Sequence, residues 1–284
     1  MINTKINWFP GHMKKAFGII EAGLRLVDAV VYVLDARAPE ACINPEFEKI
    51  LGDKPRLYVL NKADLTDEKS VRLWKEYFKR RGFFCIAENS AAGNGFAVVK
   101  EIKSLLAEKI KRYADKGVKK TLRVMVIGIP NSGKSTLING VSKKKKTVTG
   151  DKPGVTKSGQ WVNIGDGLEM LDTPGALWPS LTNQERAADL FFIGSIKPEI
   201  FDPAELAAEL VAKLQKIAPD ALAARYKLER VGEMSPTELL SAVAVGRGLV
   251  VKGGEADFDR AAAAVLDDFK KTRIGKICLE TPED

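Results

Sequence analysis

The chain has 284 residues, 45% hydrophobic and 29% charged, so it is long enough for one large or two ordinary domains and is not broadly disordered. No apolar run approaches the roughly 20 residues that cross a bilayer, and the N-terminal residues lack the basic-then-apolar order of a signal peptide, so we expect a cytoplasmic protein with no membrane partner. The three cysteines lie far apart in the chain, so we expect reduced thiols. A single histidine excludes a multi-histidine metal site. The chain has a net charge of +8, made of an excess of 12 in the first 184 residues, which hold 31 basic and 19 acidic residues, and a deficit of 4 in the rest. The basic excess favours a polyanionic partner, nucleic acid before membrane, with solubility alone as the alternative.

The first two thirds of the chain alternate short β-branched runs with helical patterns, which is typical of a parallel sheet flanked by helices. An Asp-Gly turn at residues 165–167 predicts a hairpin between the last two strands. The predicted strands are Ala29–Leu34, Arg56–Leu60, Phe83–Ala87, Leu122–Ile127, Gln160–Ile164 and Leu168–Leu171. The predicted helices lie near residues 13–26, 67–81, 95–112 and 134–141.

Strand signals stop after about Leu181. Asp202-Pro203 and Ser235-Pro236 each predict a helix start, with the polar residue as N-cap and proline at the first helical position. An alanine-rich amphipathic helix follows at Asp257–Thr272, and a short final strand is a further expectation around Lys276–Leu279. We therefore predict an α/β domain at residues 1–181, which includes the segment 1–27, and a small helical domain at residues 182–284.

A glycine-rich loop follows the strand Leu122–Ile127 and leads into a helix. Residues 128–135, GIPNSGKS, match G-x-x-x-x-G-K-[ST] in the strand–loop–helix context that phosphate binding requires, although the motif does not separate ATP from GTP. Backbone N–H groups and the helix N-terminus point at the phosphates, Lys134 reaches the β- and γ-phosphates as a catalytic residue, and Ser135 ligates Mg²⁺. The predicted nucleotide-binding residues here are Pro130, Asn131, Ser132, Gly133, Lys134, Ser135 and Thr136.

The base-reading elements precede the phosphate loop. The second strand ends in Asn61-Lys62-Ala63-Asp64 and the third ends near Ser90-Ala91, which resemble the N-K-x-D and S-A elements of translational GTPases. The Asp64 carboxylate accepts from guanine N1–H and the exocyclic amine, a pair that adenine lacks, which penalises the wrong base on the order of 10⁴-fold. We expect Asn61 to tie the loops together, the Lys62 stem to lie over the purine, and the Ala91 N–H to donate to guanine O6.

A second Mg²⁺ ligand set follows the last strand. Asp172-Thr173-Pro174-Gly175 is expected to hold the ion through water at Asp172 and to contact the γ-phosphate through the Gly175 N–H. Thr156, two residues after the nucleotide-binding Gly154, is the expected second hydroxyl on Mg²⁺ and a catalytic residue, with an ordinary loop threonine as the alternative.

In the common GTPase order the phosphate loop comes first and N-K-x-D late, whereas here the base-reading elements precede the phosphate loop, so the chain is predicted to be circularly permuted. Strand ends gather at one sheet edge whatever their order, so the pocket survives. This order, with Trp8-Phe9-Pro10-Gly11-His12-Met13, Asp35-Ala36-Arg37 and residues 172–179, DTPGALWP, resembles the bacterial ribosome-biogenesis GTPase A family over nearly the whole chain.

The resemblance implies a circularly permuted P-loop GTPase domain with a mostly parallel six-stranded sheet, followed by a helical domain that binds rRNA. It implies turnover of GTP to GDP that the ribosomal particle stimulates, and a role in late assembly of the large ribosomal subunit. We expect a monomer. Asn131 resembles the asparagine that holds K⁺ in cation-dependent GTPases, with a turn asparagine as the alternative.

Water positioning is not assigned by these motifs. Many GTPases carry a glutamine after D-x-x-G, but Ala176 stands there. His12, expected in a loop, is the hypothesis for this role, and a structural or rRNA-contacting histidine is the alternative.

Two lysine-rich clusters are the expected rRNA contacts, and for the first a solvated face is the alternative. They are Lys143, Lys144, Lys145 and Lys146, and Lys270, Lys271, Arg273 and Lys276. Two other functions stay open: a GTPase of tRNA modification, disfavoured by the lack of a second catalytic site, and an RNA-binding module whose affinity guanine nucleotide tunes without significant catalysis.

Overall fold

The computed structural model describes residues 11–93, 95–142, 159–178, 183–196 and 202–283. These residues form two compact units: a sheet unit, residues 11–178 with 280–283, and a helical unit, residues 183–279. No helix among the described residues combines the length and apolar character needed to cross a membrane.

The sheet unit is built on six strands, β1 Ala29–Asp35, β2 Arg56–Asn61, β3 Phe84–Glu88, β4 Leu122–Ile127, β5 Gln160–Gly165 and β6 Leu168–Asp172. They lie side by side in the order β3-β2-β1-β4-β6-β5. Five strands are parallel, and β5 runs antiparallel to β6 across a turn in which Asp166 and Gly167 both have positive φ, as a tight hairpin requires. The predicted mostly parallel sheet and hairpin are confirmed.

Helices cover both faces of the sheet, which is why every residue of β1 and β2 is buried. On one face Val31, Val33 and Val124 pack with Val98 and Ile102 in a single apolar cluster. The helices of this unit are α1 Gly11–Leu24, α2 Pro45–Leu51, α3 Glu68–Arg80, α4 Phe96–Leu105, α5 Ala107–Ala114 and α6 Lys134–Val141. The single helix predicted at 95–112 is therefore two, separated at Leu106.

All five parallel strands end at the same edge of the sheet. The order of connection reverses between β1 and β4, and in open α/β sheets such a switch point opens a crevice beyond the carboxyl ends of the strands. Asp35 and Asn61 are paired in register at this edge, and Asp172 ends β6 there. The fold thus gathers segments that are far apart in the chain.

The helices of the helical unit are α7 Gln184–Phe192, α8 Pro203–Ile217, α9 Pro219–Tyr226, α10 Pro236–Gly246 and α11 Phe258–Lys270. Two of them start where the sequence predicts. Asp202 caps α8 by accepting from two backbone N–H groups, and Ser235 forms a capping box with Glu238 at α10.

The strand expected around Lys276–Leu279 is wrong. These residues have no strand conformation, although Ile277, Cys278 and Leu279 are buried. A strand needs a neighbouring edge to pair with, and the described part of the helical unit offers only the isolated bridge between Val250 and Ala256. Beyond Leu279 the chain rejoins the sheet unit, where Glu280 accepts hydrogen bonds from two backbone N–H groups.

Candidate functional site

The phosphate loop turns sharply between β4 and α6. Gly128 and Gly133 have φ of +149° and +93°, a region that favours glycine. A Cβ on Gly128 would meet the carbonyl oxygen of Val33, and one on Gly133 would meet the Asn61 side chain. Asn131 also has a positive φ, of 58°, which is the geometry of a turn asparagine.

Lys134 is buried at the start of α6, with 6% of its surface exposed. Its ammonium donates to the carbonyl of Ile129 at 2.7 Å. Burial lowers the pKa of Lys134 to about 8, even though the Asp172 carboxylate acts in the opposite direction. The lysine is therefore desolvated, and among the described residues its acceptor is a neutral carbonyl, so a phosphate would gain a strong charge partner.

Ser135 and Asp172 form the core of the predicted Mg²⁺ site. The Ser135 hydroxyl donates to Asp172 Oδ2 at 2.8 Å, and Oδ1 is buried with no hydrogen-bond partner among the described residues. Burial raises the pKa of Asp172, although the hydrogen bond from Ser135 and the charge of Lys134 oppose this shift. An orphaned carboxylate oxygen beside a hydroxyl fits a hard divalent cation, since such ions take oxygen ligands.

Asn61 joins three loops at the sheet edge. Its side-chain amide donates to the carbonyl of Ser132 in the phosphate loop at 2.7 Å. Its Oδ1 accepts from the backbone N–H of Ser90 at 3.1 Å. The residues predicted to read the base and those predicted to hold the phosphates are thus brought together, although about 70 positions separate them in the chain.

Lys62 and Ala91 have partners that the sequence did not predict. The Lys62 ammonium lies 2.8 Å from Asp35 Oδ2 and donates to the carbonyl of Asn131 at 2.7 Å. The Ala91 N–H donates to Asn89 Oδ1 at 3.2 Å, so it must change partner before it reaches a base. Asp64 is exposed beside them, on the short 3₁₀ turn Ala63–Leu65.

The segment after Asp172 lies against the phosphate loop. A Cβ on Gly175 would come within 2.6 Å of the backbone of Pro130. Ala176 is fully buried, with its N–H directed to the carbonyl of Gly128 at 3.4 Å and its own carbonyl accepting from Asn44 Nδ2 at 3.1 Å. The position of the usual glutamine therefore holds no polar side chain.

Several predicted site residues lie outside the described residues, namely Gly154, Thr156, Lys143, Lys144, Lys145 and Lys146. His12 is not in a loop, as expected, but in the first turn of α1, and its side chain also lies outside the description. The helix extends to Gly11 because its buried stripe begins early, at Met13, Ala16 and Ile20.

The predicted C-terminal basic cluster is largely paired within its own unit. The ammonium of Lys270 lies 4.9 Å from the centre of the Phe191 ring, and Lys271 pairs with Asp267. Arg273 contacts both Asp267 and the buried Asp268. Much of the cluster's charge is therefore compensated.

Comparisons with known proteins agree with the fold and the family predicted from the sequence. A family model described as a 50S ribosome-binding GTPase matches residues 123–220. Ribosome biogenesis GTPase A of Bacillus cereus is 40% identical over 281 residues, covering 98% of this chain and 95% of the relative. The chain belongs to the ribosome biogenesis GTPase A family. The prediction that the protein is a GTPase is confirmed.

Other members of the family support this placement. The Ribosome biogenesis GTPase A of Thermotoga maritima is 33% identical over 98% of this chain and 95% of the relative. The GNP-bound crystal structure of YlqF from T. maritima has a TM-score of 0.65 at 30% identity, over 95% of this chain and 99% of that chain. A GDP-bound YlqF structure has a TM-score of 0.66 at 29% identity, over 93% and 99% of the two chains. The predicted circularly permuted GTPase fold is confirmed.

Sequence reasoning missed two polar residues beside this GTPase site. Asp35 ends β1 with its carboxylate buried, and it was noticed only within Asp35-Ala36-Arg37, without a role. Asn44 caps α2 and contacts the segment after Asp172. Its signal, Asn before Pro45, is the same helix-start pattern that marked Asp202 and Ser235.

Proposed function

We propose that this protein binds GTP, hydrolyses it to GDP and phosphate, and acts as an assembly factor for the large ribosomal subunit, with turnover stimulated by the ribosomal particle. The observation that supports the proposal most is the double contact of Asn61 with Ser132 and Ser90, because it joins a base-reading loop to a phosphate loop in one crevice. Family membership supports the ribosomal role.

In this proposal the bound nucleotide spans the switch point between β1 and β4. Asp64 reads guanine N1–H and the amine, and the exposure of Asp64 leaves it accessible to the base. The loop N–H groups, the start of α6 and Lys134 hold the phosphates. Because Lys134 is desolvated, its charge acts on the β- and γ-phosphates with little screening.

Mg²⁺ would be held by Ser135 and, through water, by Asp172, with Thr156 as a further hydroxyl. When bound, the ion neutralises charge that develops on the phosphate oxygens. Asp172 Oδ1, which has no hydrogen-bond partner within the described part of the chain, supports this assignment.

K⁺ at Asn131 is a separate part of the proposal. A monovalent cation there would supply positive charge where other GTPases use an arginine. Exchanging KCl for NaCl at constant ionic strength should slow GTP hydrolysis. Equal rates in both salts would reject the ion and leave Asn131 as a turn residue, which its positive φ equally explains.

His12 is the proposed contributor to water positioning, since the buried Ala176 cannot do it. Replacing His12 by alanine should lower particle-stimulated turnover while GDP affinity is unchanged. Full stimulated turnover in that variant would remove His12 from the mechanism.

The proposed rRNA contacts are the lysines at 143–146 together with Lys270, Lys271, Arg273 and Lys276. Because Lys271 and Arg273 are paired with carboxylates, we assign the larger share of phosphate binding to the lysine run. Binding through phosphates should weaken steeply as salt is raised. Neutralising the run should reduce the slope of log K against log salt, and an unchanged slope would reject it as a contact.

Two measurements test the proposed function. Sedimentation with ribosomal particles in a sucrose gradient should show co-migration with large-subunit precursors in a non-hydrolysable GTP analogue and release in GDP. GTP turnover should rise when those particles are added. Co-migration without any turnover would favour the alternative of an RNA-binding module tuned by nucleotide, and no co-migration in either state would reject the ribosomal role.

A further inference from the structure

Asp35 is the most buried charged group at the sheet edge that no motif explains. It is the last residue of β1, it is 1% exposed, and it pairs in register with Asn61. Its Oδ1 accepts from the backbone N–H of Arg37 at 3.1 Å and from Nε at 2.9 Å, and its Oδ2 accepts from Nη2 at 2.8 Å. This bidentate pair fixes the carboxylate plane.

The same carboxylate holds the lysine of the base-reading loop. The Lys62 ammonium is 2.8 Å from Asp35 Oδ2 and also donates to the carbonyl of Asn131. Lys62 has a left-handed backbone, with φ 57° and ψ 34°, which a non-glycine residue seldom adopts without being held. Its side chain thus spans from β1 to the phosphate loop.

The cations Lys62 and Arg37 both contact the carboxylate of Asp35, which offsets part of their charge only while it is ionised. Burial alone would raise the pKa of Asp35, but the charges of Lys62 and Arg37 hold it well below its ordinary value. Arg37 in turn is stabilised as a cation mainly by Asp35, and the charge of Asp64 adds to this. Removing the Asp35 charge would take away the carboxylate that both cations contact, and because Arg37 is buried this loss is costly.

We propose that Asp35 is a positioning residue, which acts through Lys62 to keep the guanine-reading loop in register with the phosphate loop. Arg37 supports this arrangement by holding the Asp35 carboxylate. The inference rests on the proposed nucleotide site but assigns it a residue outside the GTPase motifs. Without the Asp35 charge, Lys62 turns toward solvent and its bond to Asn131 is lost, so that the contact of Asn61 with Ser132 holds the two loops without this second link.

The test is a double-mutant cycle on the affinity for mant-GDP, measured by fluorescence titration of Asp35→Asn, Lys62→Met and the double variant. Asp35→Asn should raise Kd about tenfold, about 1.4 kcal/mol. In the Lys62→Met background the same change should alter Kd less than twofold, because Asp35 then has nothing to position. The matched control is Asp28→Asn, which removes a carboxylate paired with Lys109 just before the other end of β1, and it should change Kd less than twofold.

Two results would overturn the proposal: a Kd for Asp35→Asn within twofold of the wild type, or an equal loss in both backgrounds. If circular dichroism shows that Asp35→Asn does not fold, the cycle is run with Arg37→Met, whose effect must also vanish in the Lys62→Met background. Failure of wild-type protein to bind mant-GDP would count against the proposed function, whereas additive effects with intact wild-type binding would count against Asp35 alone.

Discussion

Replacing Gly175 by alanine tests how closely the segment after Asp172 must approach the phosphate loop. The added Cβ would lie 2.6 Å from both Cα and N of Pro130, whereas ordinary contacts begin at 3.4 Å, so the loops must separate by about 0.8 Å. No flexible side chain can yield, because the contact is with buried backbone. A misplacement of about 1 Å at a reacting centre costs about 10²-fold in rate, and overpacking costs about 1–3 kcal/mol.

We therefore expect Gly175→Ala to lower GTP turnover about 10²-fold, measured as phosphate release at saturating GTP, and to lower Tm by about 2–4 °C per kcal/mol lost. Gly18→Ala is the matched control. Gly18 is exposed in the interior of α1 with open space around a Cβ, so this change should leave turnover unaltered and stabilise the protein by about 0.5–1 kcal/mol. Turnover by Gly175→Ala within twofold of the wild type would refute the close approach.

Three further predictions concern the base, the chain end and pH. Asp64→Asn should weaken GTP about 10²-fold and favour XTP, whose carbonyl replaces the guanine amine and pairs with an amide donor; a persistent preference for GTP would contradict the assignment. The Glu280 carboxylate accepts from the backbone N–H groups of Glu40 and Ala41, and Glu280→Gln removes one of these two acceptor oxygens. The Tm in a thermal melt should therefore fall about 2–4 °C. Glu283→Gln, at an exposed position, is the control and should leave the Tm unchanged. Equal melts would show that the Glu280 contact adds no stability. Burial lowers the pKa of Lys134 to about 8 in the nucleotide-free protein, and bound phosphates would keep the lysine protonated. The Kd for GDP should therefore rise about tenfold from pH 7 to pH 9, and Lys134→Arg should remove this pH dependence. A wild-type Kd that does not change with pH would contradict the lowered pKa of Lys134. The lowered pKa of Lys134 also affects folding: the free energy of unfolding of the nucleotide-free protein should rise as the pH rises from 8 toward 10.5. In this range the unfolded chain still holds the proton that the folded chain has released.

Local patterns predicted most of the fold. The strand Leu122–Ile127 and the helix at 134–141 were predicted with the bounds that the structure has, because a β-branched run and a Gly-Lys-Ser helix start are both signals within a few residues. The N-caps at Asp202 and Ser235 are also predicted by short local patterns, and the structure confirms both. What failed locally was the strand at Lys276–Leu279, since an apolar run does not reveal whether a partner edge exists.

The site was predictable as a set of loops but not as a set of contacts. Strand ends and parallel topology place Asn61 and Ser132 at one edge, so their meeting follows from the motif positions. The pairing of Lys62 with Asp35 does not, because it depends on which side chains face each other across neighbouring strands. The contact of Asn44 with Ala176 joins residues far apart in the chain and carries no sequence signal beyond a helix cap.

The central claim is that a base-reading loop and a phosphate loop, whose places in the chain are exchanged by circular permutation, form one cleft for guanosine triphosphate. Competition of GTP and ATP against mant-GDP on the wild-type protein tests it most directly. The account predicts that ATP displaces the probe on the order of 10⁴-fold less effectively than GTP, because adenine leaves the Asp64 carboxylate unpaired. Displacement by ATP at the same concentration as GTP would contradict it.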